Sequence, residues 1–205
     1  MTVLHLGDDE NRFSPDWLQR VHSTLDTVED VLVTTGGGKF YSNGLDLEWL
    51  TANGDKASEY VADVQELFAR VLTLPVPTVA AITGHAFGAG AMLAMAHDFR
   101  VMREDRGYFC FPEADINIPF TPGMAALIQG KLTPASAIAS MTTGRRFGGA
   151  EALPFGLVDE IAAEGEVVKV ASSRVEALAG KDRGTLGAIK ATMFAPAVAA
   201  LRTPA

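Results

Sequence analysis

The sequence predicts an α/β domain, and three observations lead there. Two β-branched runs, Val31-Leu32-Val33-Thr34-Thr35 and Thr78-Val79-Ala80-Ala81-Ile82, read as buried strands, each closed by glycine (Gly36-Gly37-Gly38 and Gly84). Between them Val64, Leu67, Phe68, Val71 and Leu72 recur at helical spacing. After the second run, small and straight-chained residues over 89–95 predict a further helix, and Asp98-Phe99-Arg100-Val101-Met102 returns to strand character. A repeated order of strand, turn, helix and strand is the pattern of layered sheets and helices.

The helix predicted over 63–74 ends where Pro75 and Pro77 remove backbone donors. Helical stretches follow over 135–141 and 150–153, with a short extended piece over 157–161. The tail predicts two alanine-rich helices, over 166–178 and 186–201. No low-complexity or polar stretch is long enough to be a linker, and no repeat exceeds the alternation itself. The expected organisation is one domain, with its core over 1–160 and a helical extension over 161–205.

The 205 residues are 48% hydrophobic and 20% charged, enough for one sizeable core. A net charge of -8 without clustered Lys or Arg argues against a nucleic-acid partner. A small anionic ligand remains compatible with it, since a few local cations can hold a phosphate. The single cysteine, Cys110, rules out an intrachain disulfide and fits a reducing compartment. No apolar run reaches membrane-spanning length, and Asp8, Asp9 and Glu10 break any signal-peptide pattern. The residues 202–205 carry no retention or peroxisomal signal, so no membrane association and a cytoplasmic location are expected.

Two glycine-centred segments carry the chemistry. They are Phe40-Tyr41-Ser42-Asn43-Gly44-Leu45-Asp46-Leu47 and Gly84-His85-Ala86-Phe87-Gly88-Ala89-Gly90-Ala91-Met92-Leu93. Each places backbone N–H groups at a turn no side chain blocks, and two such amides aimed at one point make an oxyanion hole. The second segment also fits the nucleotide loop of short-chain dehydrogenases. That reading needs the loop after the first strand and a tyrosine with lysine four residues on. Tyr41, Tyr60 and Tyr108 all lack that lysine.

Glu113 follows Phe109-Cys110-Phe111-Pro112, and apolar company of this kind raises a carboxyl pKa toward the range useful for proton exchange. Asp46 reads as a helix cap rather than a catalytic group. His85 and His97 have no Cys or carboxylate at ligand spacing, so no metal is expected. Trp17 and Trp49 read as packing or pocket walls rather than cofactor contacts.

Together these segments resemble the crotonase family of enoyl-CoA hydratases and isomerases. Phe40 to Leu47 is similar to the family's FxxGxDL element, and Thr143-Gly144-Arg145-Arg146-Phe147 through Gly156-Leu157-Val158 to its TG…AxEAxxxGLV block. The resemblance implies a right-handed spiral of ββα units with C-terminal helices, assembled as a homotrimer or hexamer. It implies Leu45 and Ala89 as oxyanion donors and Glu113 as the acid–base residue. Asn43, Gly44, Gly88 and Met92 would line the acyl-CoA substrate, whose coenzyme A is the only cofactor implied. For Lys190 two readings stand, a cation near the coenzyme A phosphates and a solvated helix face.

Family hydratases carry a second glutamate where this chain has Met92. Met92 and the stretch over 98–107 together resemble the short single-glutamate Δ3-Δ2-enoyl-CoA isomerases. Two alternatives remain: a hydratase or other acyl-CoA enzyme of the same fold, with Asp115 as second acid if residues 113–115 are extended, and a catalytically silent acyl-CoA-binding subunit.

Overall fold

The computed structural model describes residues 1–203, and Pro204 and Ala205, the end of the expected extension and of the segment read for targeting signals, lie outside the described residues. The chain opens with β1 (Thr2–His5), β2 (Arg12–Phe13) and α1 (Pro15–Asp26). Ser14 caps α1 by accepting the Trp17 N–H, and Pro15 occupies the first helical position.

Three similar units follow. In the first, β3 (Leu32–Thr35) leads to β4 (Phe40–Ser42), β5 (Gly44–Leu45), α2 (Leu47–Ala52) and α3 (Ala57–Leu72). In the second, β6 (Thr78–Ile82) leads to β7 (His85–Phe87) and α4 (Ala89–Ala96). In the third, β8 (Phe99–Arg103) leads to β9 (Phe109–Cys110) and α5 (Glu113–Ile116). The remainder is α6 (Pro122–Gln129), α7 (Pro134–Met141), α8 (Gly149–Ala152), β10 (Glu160–Ala162), α9 (Val167–Glu176), α10 (Arg183–Met193) and α11 (Ala195–Leu201).

The first strand of each unit joins one parallel sheet, ordered β1-β3-β6-β8-β10, and the second joins another, ordered β4-β7-β9. A third pairing, β2 with β5, is also parallel. The chain therefore climbs as a spiral of ββα units, each turn stacked on the last.

Strand residues alternate between two cores. Leu32, Ala80, Ile82 and Met102 face the main core with α3 and α4, while Val31, Val33, Val79, Ala81 and Val101 face a second core. Ala171 and Val175 of α9 close that second face. Burial on both sides is why these strands read as unbroken apolar runs. β10 spans residues 160 and 161, so the sheet itself continues into the C-terminal segment.

The single helix expected over 186–201 is two helices, α10 and α11, bent by 75°. Pro196 at the start of α11 supplies no N–H to the preceding turn and its ring crowds it, so the helix breaks at Phe194. The helix expected over 63–74 begins earlier, at Ala57. Among the described residues no single helix is long and apolar enough to cross a membrane.

Candidate active site

The two glycine segments meet face to face. Gly44 has φ +82°, and a Cβ there would stand 2.8 Å from Phe87 O and 2.9 Å from Ala89 N. At Gly90 a Cβ would stand 2.3 Å from Ser42 O. No residue with a side chain fits either crossing without moving backbone.

Gly44 donates its own N–H to Ser42 Oγ at 3.1 Å, and Ser42 Oγ in turn donates to Asn11 O at 2.7 Å. The Gly44 amide is thus consumed, which leaves the next one, Leu45, as the candidate donor on this segment. Ala89 is the first residue of α4, so its N–H has no intrahelical acceptor. Its Cβ is no obstacle in a helical conformation.

Leu45, Gly88, Ala89, Met92 and Glu113 all line one cleft of about 300 Å³. Asn43 lines it too, with its Nδ2 donating to Glu10 Oε2 at 3.1 Å. The other walls include Leu47, Phe87, Ile116, Ile118, Pro119 and Met124. Glu113 is the one carboxylate among the lining residues. It is 8% exposed, its Oε2 has no hydrogen-bond partner, and burial raises its pKa from 4.5 to about 7. An unpaired buried oxygen with a pKa near neutrality is available to take and return a proton. Oε1 lies 3.4 Å from where a Gly88 Cβ would be, so the acid abuts the residue before Ala89, the candidate donor.

β9 backs Gly88. Cys110 accepts the Gly88 N–H on its carbonyl at 3.0 Å, and its thiol donates to Gly144 O at 3.2 Å.

Asp115 is not at the site. Residues 113–116 form a helical turn rather than an extended segment, and two residues along a helix point to different sides. Asp115 is exposed, and its carboxylate lies against Gly144. Met92, the residue at which the resemblance expects a hydratase's second glutamate, is 1% exposed and lines the cleft. Asp46 caps α2 by accepting the Trp49 N–H at 3.0 Å.

Lys190 is a correction to both readings of it. It neither faces solvent nor lines the cleft: at 4% exposure its Nζ donates to Val76 O and Asp98 Oδ2, pinning α10 to the end of the main sheet. His85 Nδ1 accepts the Tyr108 N–H at 3.1 Å, and His97 is held inside the core.

Two cations went unread in the sequence. Arg12 lines the cleft beside Glu10, and Arg146 lines it with its guanidinium 5.6 Å from the Phe87 ring centroid. Arg146 lies in the TG…AxEAxxxGLV block, from which no ligand contact was read, and Arg12 in a segment without a motif.

Comparison with known proteins agrees with this architecture. The enoyl-CoA hydratase/isomerase family model matches residues 8–204. Enoyl-CoA delta isomerase 3 of Arabidopsis thaliana is 40% identical over 191 residues, 85% of this chain and 79% of that protein. A probable enoyl-CoA hydratase of Mycobacterium tuberculosis superposes with a TM-score of 0.90 at 29% identity, over 98% of this chain and 87% of its own. A second structure of that same mycobacterial protein, there described as an enoyl-CoA isomerase, superposes with a TM-score of 0.87 at 30% identity, over 95% of this chain and 86% of its own.

Proposed function

The chain belongs to the enoyl-CoA hydratase/isomerase family, and from that premise we propose that it is a Δ3-Δ2-enoyl-CoA isomerase working with one acid–base residue. The observation that carries the choice is that Glu113 is the sole carboxylate among the residues lining the cleft; Met92, which also lines it, is where the resemblance expects a hydratase's second acid. The similarity to a plant enoyl-CoA delta isomerase supports the same activity.

The thioester oxygen of a 3-enoyl-CoA sits between the Leu45 and Ala89 amides. Glu113 as carboxylate removes a proton from C2, and the electrons pass to the thioester oxygen, where the two N–H groups stabilise the charge. The protonated Glu113 then returns the proton to C4, and the double bond comes to rest between C2 and C3. Charge, atoms and the state of the enzyme are restored at the end. Nothing beyond the coenzyme A of the substrate is required, and family membership supports a homotrimer or hexamer.

Hydration makes a further demand, because water must be held and deprotonated while a proton reaches the neighbouring carbon. A Met92 thioether does neither, and Asp115 is turned away. A catalytically silent acyl-CoA-binding subunit is disfavoured by Glu113, whose unpaired buried carboxyl carries a cost that binding alone does not require. The test is to supply 3-enoyl-CoA and 2-enoyl-CoA separately and identify the products. Isomerisation of the first with little 3-hydroxyacyl-CoA from the second is expected. Hydration at an equal or greater rate overturns the one-acid reading.

A further inference from the structure

Three polar side chains in the main core take no part in the chemistry above. Tyr41, Thr34 and His97 are 0%, 2% and 0% exposed. Thr34 Oγ1 lies 2.8 Å from Tyr41 Oη and 3.0 Å from His97 Nε2, and His97 Nδ1 lies 2.8 Å from Leu93 O.

The direction of every bond follows from counting hydrogens. A carbonyl oxygen only accepts, so His97 Nδ1 carries its proton toward Leu93 O. The imidazole is neutral, its pKa driven down to about 3 chiefly by burial, so Nε2 is an acceptor. Thr34 must spend its one hydrogen on Nε2, and Tyr41 must then donate to Thr34. The chain runs one way: Tyr41 to Thr34 to His97 to Leu93.

Its ends are the two halves of the oxyanion site. Tyr41 is on β4, four residues before Leu45, and Leu93 is on α4, four residues after Ala89. α4 needs such a tether. All eight of its residues (AGAMLAMA) are buried, mostly small, with no polar face to set its rotation. Apolar packing is non-directional, whereas a hydrogen bond fixes an angle.

We propose that Tyr41, Thr34 and His97 are positioning residues that lock the rotation of α4 against β4 and so hold the Ala89 and Leu45 amides at the angle the enolate needs. The role rests on the two-amide reading of the site. Removing the Thr34 hydroxyl deletes no group that touches substrate but frees the rotation of the helix that carries the Ala89 amide.

The experiment compares Thr34→Val, Tyr41→Phe and the conservative Thr34→Ser. Each is assayed for kcat and KM on a 3-enoyl-CoA and for the near-ultraviolet band of a bound 3-oxoacyl-CoA enolate. The band reads the strength of the oxyanion site directly and is measured on folded protein. Thr34→Val is expected to lower kcat about tenfold, less than the ~10²-fold of deleting a donor outright, with KM nearly unchanged and the enolate band weakened. Thr34→Ser restores both, and Tyr41→Phe, which keeps the ring, gives a smaller loss of the same kind. Folded Thr34→Val and Tyr41→Phe with a full enolate band overturn the proposal, as does a loss that merely tracks the fraction of folded protein. Absence of isomerase turnover in the unmodified protein counts against the proposed function alone, because the enolate band still tests the positioning.

Discussion

Lys190 Nζ lies 2.6 Å from Asp98 Oδ2 and 2.7 Å from Val76 O, joining the penultimate helix to the start of β8 and the approach to β6. Asp98 also accepts the Thr78 N–H at 2.9 Å. Removing one partner of a fully buried pair costs about 3–5 kcal/mol, and with Asp98 partly open to water about 2 kcal/mol is expected for Lys190→Met. Denaturant unfolding should show that loss while KM for the acyl-CoA stays unchanged in folded protein. Unchanged stability with a raised KM would return Lys190 to the phosphate-binding role.

Glu113→Gln keeps shape and removes the exchangeable proton, so turnover should fall by about 10²-fold or more with substrate binding retained. In the unmodified enzyme only the carboxylate form can take the C2 proton. kcat/KM should therefore climb through pH about 7 and level off above it. A flat profile across neutrality contradicts this role for Glu113.

The same group makes stability depend on pH. Below the ordinary value of 4.5 both the folded and unfolded chains hold the proton. Between 4.5 and about 7 the unfolded chain ionises while the folded one stays protonated, so the unfolded state gains and stability falls. Above that range the loss is complete. Glu113→Gln lacks this titration, so its stability relative to the unmodified protein should improve across that window. Parallel pH–stability curves for the two proteins would show that burial does not raise this pKa.

Gly44→Ala puts a methyl 2.8 Å from Phe87 O at a φ of +82°. The two donor segments must part, and a loss of turnover of about 10²-fold, the value of one oxyanion donor, is expected. Circular dichroism on the same sample checks that the domain stays folded. Full activity in folded Gly44→Ala would mean that the crossing does not set the donor geometry.

Leu47, Ile116 and Ile118 are 36%, 47% and 37% exposed, yet all three line the cleft. Apolar side chains gathered at one mouth offer a surface to a long acyl chain. Ile118→Asp should raise KM for a long-chain enoyl-CoA about tenfold, as lost burial of several methylenes implies, and change a short-chain KM little. Equal effects at all chain lengths would remove Ile118 from the acyl path.

The parts of this molecule legible in sequence were those governed by local rules. β3 and β6 announce themselves because both faces are buried, and the glycine crossings because only glycine fits them. Glu113 stood out through its apolar neighbours. What stayed hidden depends on distant partners: nothing local to Lys190 reveals that Asp98, 92 residues away, meets its ammonium. Arg12 and Arg146 reach the cleft only because the spiral brings their segments beside it. The turn at Glu113 misled for a related reason, since four residues after a proline carry too little periodicity to separate helix from strand. The N-terminal helix went unread despite its Ser14-Pro15 cap, and β1 and β2 are short and gain their identity from pairing.

Cys110 gives this protein a built-in clock. It is the one thiol in the chain, 2% exposed, with a pKa pushed up to about 11, so an alkylating reagent meets it only when β9 lifts away. The same excursion releases the Gly88 N–H from the Cys110 carbonyl, and with it the turn that leads into Ala89. The rate of thiol trapping under native conditions therefore reports how often β9 parts from Gly88, and a ligand that fills the cleft beside Gly88 should slow it.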